Sequence, residues 1–221
     1  SDENLKTNDL DAAVGDLNSL ISKYPEDSIA ALAQYKLSTI HLNWNNDLSS
    51  GFEALQHTVD NYPNSVQAAQ AKKEIENFPE FILNNVESLR KRKMIKEALD
   101  YLVYMTDTHP HHVLTPKGQW IIGDIYMNDL RDFETAILSY RKVIDDYAGS
   151  AQEPNAQFMI SFVFANILND YKSAEIEYKI FLEKFPNHEL APSIRFELEN
   201  LGKNIDEIPV LNKILGEGQT S

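Results

Sequence analysis

The stretch AQFMISFVFANILNDYKSAEIEYKIFLEKFPNH, Ala156 to His188, decides how the whole chain is read. Its first half is apolar almost all round. Its second half is striped: Ala174, Tyr178, Phe181, Leu182 and Phe185 stand at i, i+4, i+7, i+8 and i+11 and share one helical face. Pro186 follows and cannot continue a helix. The stretch therefore predicts two helices and two turns.

Working outward, the same unit recurs. Tyr24-Pro25, Tyr62-Pro63, His109-Pro110, Tyr147-Ala148 and Phe185-Pro186 follow one another at intervals of 38, 47, 38 and 38 in sequence number. Eleven residues before each point sits a small residue: Ala13, Gly51, Ala98, Ala136, Ala174. Four residues later comes a large one: Leu17, Leu55, Leu102, Tyr140, Tyr178. Ten residues after each proline position stand Tyr35, Lys73, Trp120, Phe158 and Phe196, and twelve after stand Leu37, Ile75, Ile122, Ile160 and Leu198. Each unit is a helix A, a turn, a helix B and a turn. The small residue on helix B lets the two axes approach to ~8–10 Å.

The expected organisation is all-α, an α-solenoid of antiparallel helix pairs with a 38-residue period. A lone helix B spans 9–24, with Asp9 as its N-cap. Units follow at 28–62, 65–109, 114–147 and 152–185, with Asp47, Asp132 and Asp170 as matching caps of their B helices. The unit at 65–109 is degenerate: Lys73 stands where the others carry an aromatic, and an insertion at about 78–93 holds Pro79 and Arg90-Lys91-Arg92-Lys93. A capping helix spans 189–201, stopped by Gly202. The tail, 204–221, is expected to dock through Ile208, Val210, Leu211 and Ile214.

Composition narrows the function classes. A net charge of −14 disfavours nucleic acid, whose phosphates need concentrated positive charge. It favours basic partners. With no Cys, disulfides, zinc-thiolate sites and Cys nucleophiles are excluded. The longest strongly apolar run, Phe158 to Leu168, is little more than half of the ~20 residues that a membrane span needs. GxSxG, P-loop and GxGxxG patterns are absent, so no enzymatic activity and no cofactor are expected.

Trp120-Ile121-Ile122-Gly123-Asp124-Ile125-Tyr126, followed by Ala136, Tyr140 and Val143, resembles the tetratricopeptide repeat. That motif expects a large residue, Leu-Gly, Tyr, Ala, Phe or Tyr, Ala and Pro at set offsets. In the next unit Ser161 replaces the Gly and Ala165 the Tyr, and the 38-residue period exceeds the standard 34. The resemblance covers roughly residues 9–201. It implies a right-handed superhelix serving as a non-enzymatic scaffold, whose A helices line a concave groove for a peptide or partner protein. FLEKFPNHELAPSIRFELENLGK and VDNYPNSVQAAQA are similar to a bacterial subgroup of periplasmic and outer-membrane repeat lipoproteins, including the β-barrel assembly lipoprotein and the Tol–Pal coordinator. That implies an envelope location, with a leader or lipid anchor expected ahead of Ser1.

By the family's geometry the groove residues are Tyr35, Trp120, Phe158 and Phe162, with the asparagines Asn43, Asn128 and Asn166. Aromatics at helical spacing also serve as core, and the asparagines also suit left-handed helix C-caps. Arg90, Lys91, Arg92, Lys93 and Lys96 form a basic patch able to grip an acidic group, or else a solvated loop and a helix N-terminus. His109, His111 and His112 are weak metal candidates, set against the simpler role of an inter-repeat turn. Two alternatives to the groove scaffold stand open: an architectural subunit with no peptide groove, and a metal or small-molecule binder.

Overall fold

The computed structural model describes residues 2–203 and Glu207. Among them the chain is all-helical: α1 (Asp2–Lys23), α2 (Ser28–Asn43), α3 (Leu48–Asn61), α4 (Val66–Glu76), α5 (Phe78–Lys91), α6 (Ile95–Thr108), α7 (Thr115–Asp124), α8 (Phe133–Asp146), α9 (Glu153–Asn166), α10 (Tyr171–Lys184) and α11 (Ala191–Glu199). A π-helical turn, Ile125–Leu130, prolongs α7. Consecutive helices pack on one another in chain order, the arrangement of a solenoid. The expected docking residues of the tail, and Asn204, lie outside the described residues.

The B-to-A turns repeat atom for atom. The amide of the third residue after each punctuating aromatic returns to its carbonyl: Asp27 to Tyr24, Ser65 to Tyr62, His112 to His109, Ser150 to Tyr147 and His188 to Phe185, all at 2.9–3.1 Å. Pro116, Pro154 and Pro192 then open α7, α9 and α11, where a missing N–H costs nothing.

The A-to-B turns repeat as well. Asn46, Lys93, Arg131 and Asn169 all have positive φ, 52° to 63°. They recur at intervals of 47, 38 and 38 in sequence number. Asp47, Asp132 and Asp170 follow three of them and cap the B helices as expected, accepting from the amides of Ser50, Thr135 and Ser173 at 3.0–3.1 Å. Met94 holds that place before α6 and offers no side-chain cap. Asp9 caps nothing, because α1 begins well before it, at Asp2.

The small position works as packing geometry predicts. Ala98, Ala136 and Ala174 are fully buried, as are Leu55, Leu102, Tyr140 and Tyr178 one turn on. A Cβ on Gly51 would fall 2.4 Å from the Leu42 side chain. Here α2 and α3 are so close that even alanine needs Leu42 to move.

The insertion is a helix. Counting α1 as the first, half unit, it splits helix A of the third unit into α4 and α5 at Asn77, where Pro79 opens the new helix and α4 and α5 scarcely touch. The register follows the left-handed residues, so α5 is the true helix A. The equivalent of Tyr35, Trp120 and Phe158 is the buried Ile82, not the exposed Lys73 of α4.

Ala136→Leu and Ala174→Leu should each destabilise by ~1–3 kcal/mol, because added methylenes force packed helices apart. Ala12→Leu, at an exposed position on α1, should change stability far less. Urea unfolding of the three variants checks this, and equal losses would refute the packing.

The caps also set a pH dependence. Hydroxyl and amide donors of Thr135 hold the Asp132 carboxyl below its usual range, and those of Ser173 do the same for Asp170. At Asp47 burial pushes upward, but the Ser50 donors outweigh it and the shift is again downward. Groups depressed in the folded state stabilise it above the unfolded carboxyl pKa of ~3.9, and that stability goes as pH falls through their folded values. The urea midpoint should therefore fall below about pH 4, and less steeply in the Asp132→Asn, Asp170→Asn double variant.

Candidate partner-binding face

The A helices α2, α7 and α9 carry the expected groove residues, with Asn128 on the π-helical turn that prolongs α7. The structure places these residues in two settings, with a second cavity, lined by none of them, between the two.

The first setting is a cavity of about 370 Å³ where α2 meets the junction of α4 and α5. Tyr35 and Asn43 both line it. Its wall includes Leu42, Leu55, Phe78 and Phe81, with Glu74 and Asn77 beside them. The Tyr35 hydroxyl donates to Glu74 Oε1. Burial, together with that carboxylate, pushes the phenol pKa up to about 12, so Tyr35 keeps its proton and remains a donor.

The second cavity, of about 410 Å³, lies between α5 and α7. Leu83, Val86 and Ile121 supply its apolar part; Arg90, Lys117 and Asp129 supply charge. Arg90 holds the register position of Asn43, Asn128 and Asn166. Its guanidinium meets Asp129 Oδ2 at 2.6 Å and Asp124 Oδ2 at 2.8 Å. Burial alone would lower its pKa; hydrogen bonds to the two carboxylates raise it instead. Asp129 is in reach because the π-helical turn prolongs α7 before Arg131 reverses the chain.

This dissolves the expected basic patch. Arg90 and Lys91 sit in the last turn of α5, a favourable end of a helix for cations, rather than at an N-terminus. Lys91 pairs with Glu87 at 2.6 Å and Lys96 lies 3.9 Å from Asp100, both on exposed surface. Arg92 and Lys93 form the turn and make no ion pair among the described residues. Arg90 and Lys91 line the second cavity beside Lys117, while Lys96 lies along α6 near Asp100.

The other setting is the half-buried aromatic surface of α7 and α9. Phe158 and Phe162 pack ring to ring at 6.1 Å. Trp120 packs on Tyr140 at 6.3 Å, and its indole nitrogen is buried with no acceptor among the described residues. Asn128 and Asn166 are exposed and bond one turn back, to Asp124 Oδ1 at 2.6 Å and the Phe162 carbonyl at 3.4 Å. None of Asn43, Asn128 and Asn166 is a left-handed cap; that conformation falls three residues later, at Asn46, Arg131 and Asn169.

The histidines serve the turn. His109 stacks among Phe52, Phe78 and Tyr104, with centroids 5.2–6.5 Å away. Burial lowers its pKa, and His112 nearby lowers it further. His112 Nδ1 accepts from the Leu114 amide at 3.2 Å, as His188 does from Leu190 two repeats on. His111 is exposed. Among the described residues no three His, Asp or Glu side chains gather as a metal ion would require.

Sequence reasoning missed Glu74, Phe78 and Phe81 because they were assigned to a degenerate helix and an insertion. It missed Asp124 and Asp129 because ion pairs between repeats leave no mark in the spacing. Counting backward from Asn128 to Arg90 would have exposed that substitution.

Arg90→Ala should destabilise by ~1–3 kcal/mol, since it strands two largely buried carboxylates. Lys91→Ala, an exposed pair within one helix, should cost under ~0.5 kcal/mol. Urea unfolding of both variants tests the assignment, and equal effects would refute it.

The tetratricopeptide repeat family model matches residues 118–150, which span most of α7, the π turn, all of α8 and the following turn. No curated protein matches the chain in sequence. A crystal structure of a tetratricopeptide repeat protein from Parabacteroides merdae aligns over 88% of this chain and 67% of its own, with 14% identity and a TM-score of 0.40. Among the described residues no helix is long and apolar enough to cross a membrane. In the α7–α8 unit, then, the chain is similar to the tetratricopeptide repeat family.

Proposed function

We propose that the protein is a non-enzymatic scaffold that holds a peptide segment of a partner protein along its A-helix face. One observation carries this reading: α2, α5 and α7 bear two successive cavities of about 370 and 410 Å³, each combining apolar walls with a few polar groups. That mixture suits recognition of side chains in pockets. Phe158 on α9 holds the register position of Tyr35, with Phe162 one turn on, and half-buried aromatics give contact area with little entropy to lose. The surplus of acid, −14, favours a partner with basic residues and speeds its association at low salt. The proposal includes a bacterial envelope location, supported by the likeness of FLEKFPNHELAPSIRFELENLGK and VDNYPNSVQAAQA to envelope repeat lipoproteins.

A specific observation keeps the architectural reading as the second. Leu138 on α8 and Ile176 on α10 are 65% and 51% exposed. They stand one repeat apart, so the B helices also show apolar side chains in register. Photo-crosslinking in native cells separates the two. A crosslinker at Phe162, or at Asn84 on the lining of the α5–α7 cavity, should capture a partner protein, and one at Leu138 should not. Phe158→Ala with Phe162→Ala should weaken capture by at least tenfold in protein that circular dichroism shows to be folded at the assay temperature, as for a hot spot of ~1.4 kcal/mol or more. Capture from Leu138 alone would establish the architectural role. Recovery of the crosslinked product in the cytosolic fraction would overturn the envelope location.

A further inference from the structure

We propose that the cavity at the α4–α5 break is a pocket for a two-residue element of the partner: an apolar side chain next to a lysine or arginine. The inference rests on the groove reading and names the chemistry that one part of the groove selects.

The pocket exists because helix A is interrupted there. α4 stops at Glu76, Asn77 bridges, and α5 restarts with Phe78. Phe78 and Phe81 stack at 5.6 Å, and Phe78 meets Phe52 of α3 at 4.7 Å. The pocket wall is thus a fixed aromatic group, backed by Leu42 and Leu55. A rigid apolar wall of this kind suits an apolar side chain, which loses water on both sides when it docks.

The polar side of the pocket is acidic and incompletely paired. Glu74 accepts from the Tyr35 hydroxyl and from Gln70 Nε2 at 3.0 Å, and both donors are neutral and both use Oε1. Among the described residues Oε2 accepts no hydrogen bond, and no Lys, Arg or His pairs with this carboxylate. Tyr35, held protonated, fixes the carboxylate against the pocket wall. A basic side chain next to the apolar anchor would meet Oε2 while its aliphatic stem covers the wall. Asn43 and Asn77, on the same pocket, offer donors and acceptors to the backbone between the two side chains. A neutral polar neighbour would leave the carboxylate partly desolvated and unpaired, so the site discriminates by charge.

The test uses two synthetic hexapeptides, acetyl-Gly-Gly-Phe-Lys-Gly-Gly-amide and its Phe-Gln counterpart, titrated into the full chain by NMR. The Phe-Lys peptide should bind more tightly and shift the amides of Asn43, Asn77 and Phe81. Glu74→Gln keeps the acceptor for Tyr35 and removes the charge. It should weaken the Phe-Lys peptide about five- to tenfold and leave the Phe-Gln peptide unchanged. Asn43→Lys, at an exposed rim position, places a cation beside the pocket and should weaken the Phe-Lys peptide more than the Phe-Gln peptide in a chain whose core is untouched, both losing the Asn43 contact to the backbone. Equal affinity for the two peptides, equal loss for both in Glu74→Gln, or no shift at these amides at millimolar peptide would each overturn the pocket. Crosslinking from Phe162 is unaffected by either variant's outcome. A groove that captures its partner there while these titrations fail would keep the scaffold and remove this site.

Discussion

The close approach of each helix B to its helix A is the constraint on which the structure depends. It is set by one small residue per unit: Gly51, Ala98, Ala136 and Ala174. One turn later the large partners Leu55, Leu102, Tyr140 and Tyr178 fill the space between pairs, and all four are fully buried. The two requirements are coupled. A helix face offering a small residue and then a large one fits the facing helix in one axial register, because sliding by a turn puts bulk where there is no room. Gly123 shows the tolerance on the other side, since a Cβ there would lie 2.6 Å from the Tyr140 ring. With the register of each pair fixed, the turns can repeat the same hydrogen bonds, and the five B-to-A turns do.

The turn from A to B is where the repeat places its special residues. A left-handed residue reverses the chain, and a wide closing bond follows: the amides of Asp47, Asp132 and Asp170 return to the carbonyls of His41, Tyr126 and Phe164 at 2.9 Å. Those same aspartates then cap helix B. Only Asn46 and Asn169 are of a type that takes a positive φ readily; Lys93 and Arg131 do so against steric preference. In the third unit the cap is also lost, with Met94 in place of Asp. There Arg90 ties the end of α5 to Asp124 and Asp129 of the next A helix, so a bond between repeats stands where a bond within the repeat is missing.

Much of this was legible in the sequence, for a definite reason. Small-then-large residues eleven and seven positions before an aromatic, and Asp caps at fixed offsets, are requirements of the backbone; each unit must meet them separately, so they repeat. The split of helix A was not legible. Residues 65–77 begin as every helix A does, so counting forward from Pro63 puts Lys73 in the aromatic position. Only the end of the helix shows that α5 has taken over the register. The basic patch misled for a related reason. Of the four consecutive cations on a helix end and a turn, one is claimed by Asp124 and Asp129 of the following unit and one by Glu87 of its own helix. The histidine run was separable by register, since His109 stands where tyrosine or phenylalanine stands elsewhere.

The insertion explains why the distinctive surface lies where it does. In a solenoid each unit packs only on its neighbours, so nine extra residues disturb one junction and the repeats beyond it keep their geometry. At that junction a single helix A can no longer face both α3 and α6. α4 stays with α2 and α3, while α5 packs with α6. Side chains that a continuous helix would press against its neighbour, Phe78 and Phe81 among them, instead bound a cavity beside Tyr35 and Glu74. The regular units supply the framework and leave little room between their A helices. The interrupted unit supplies the cavity and, on its rim, the Glu74 carboxylate to which the proposed selectivity is assigned.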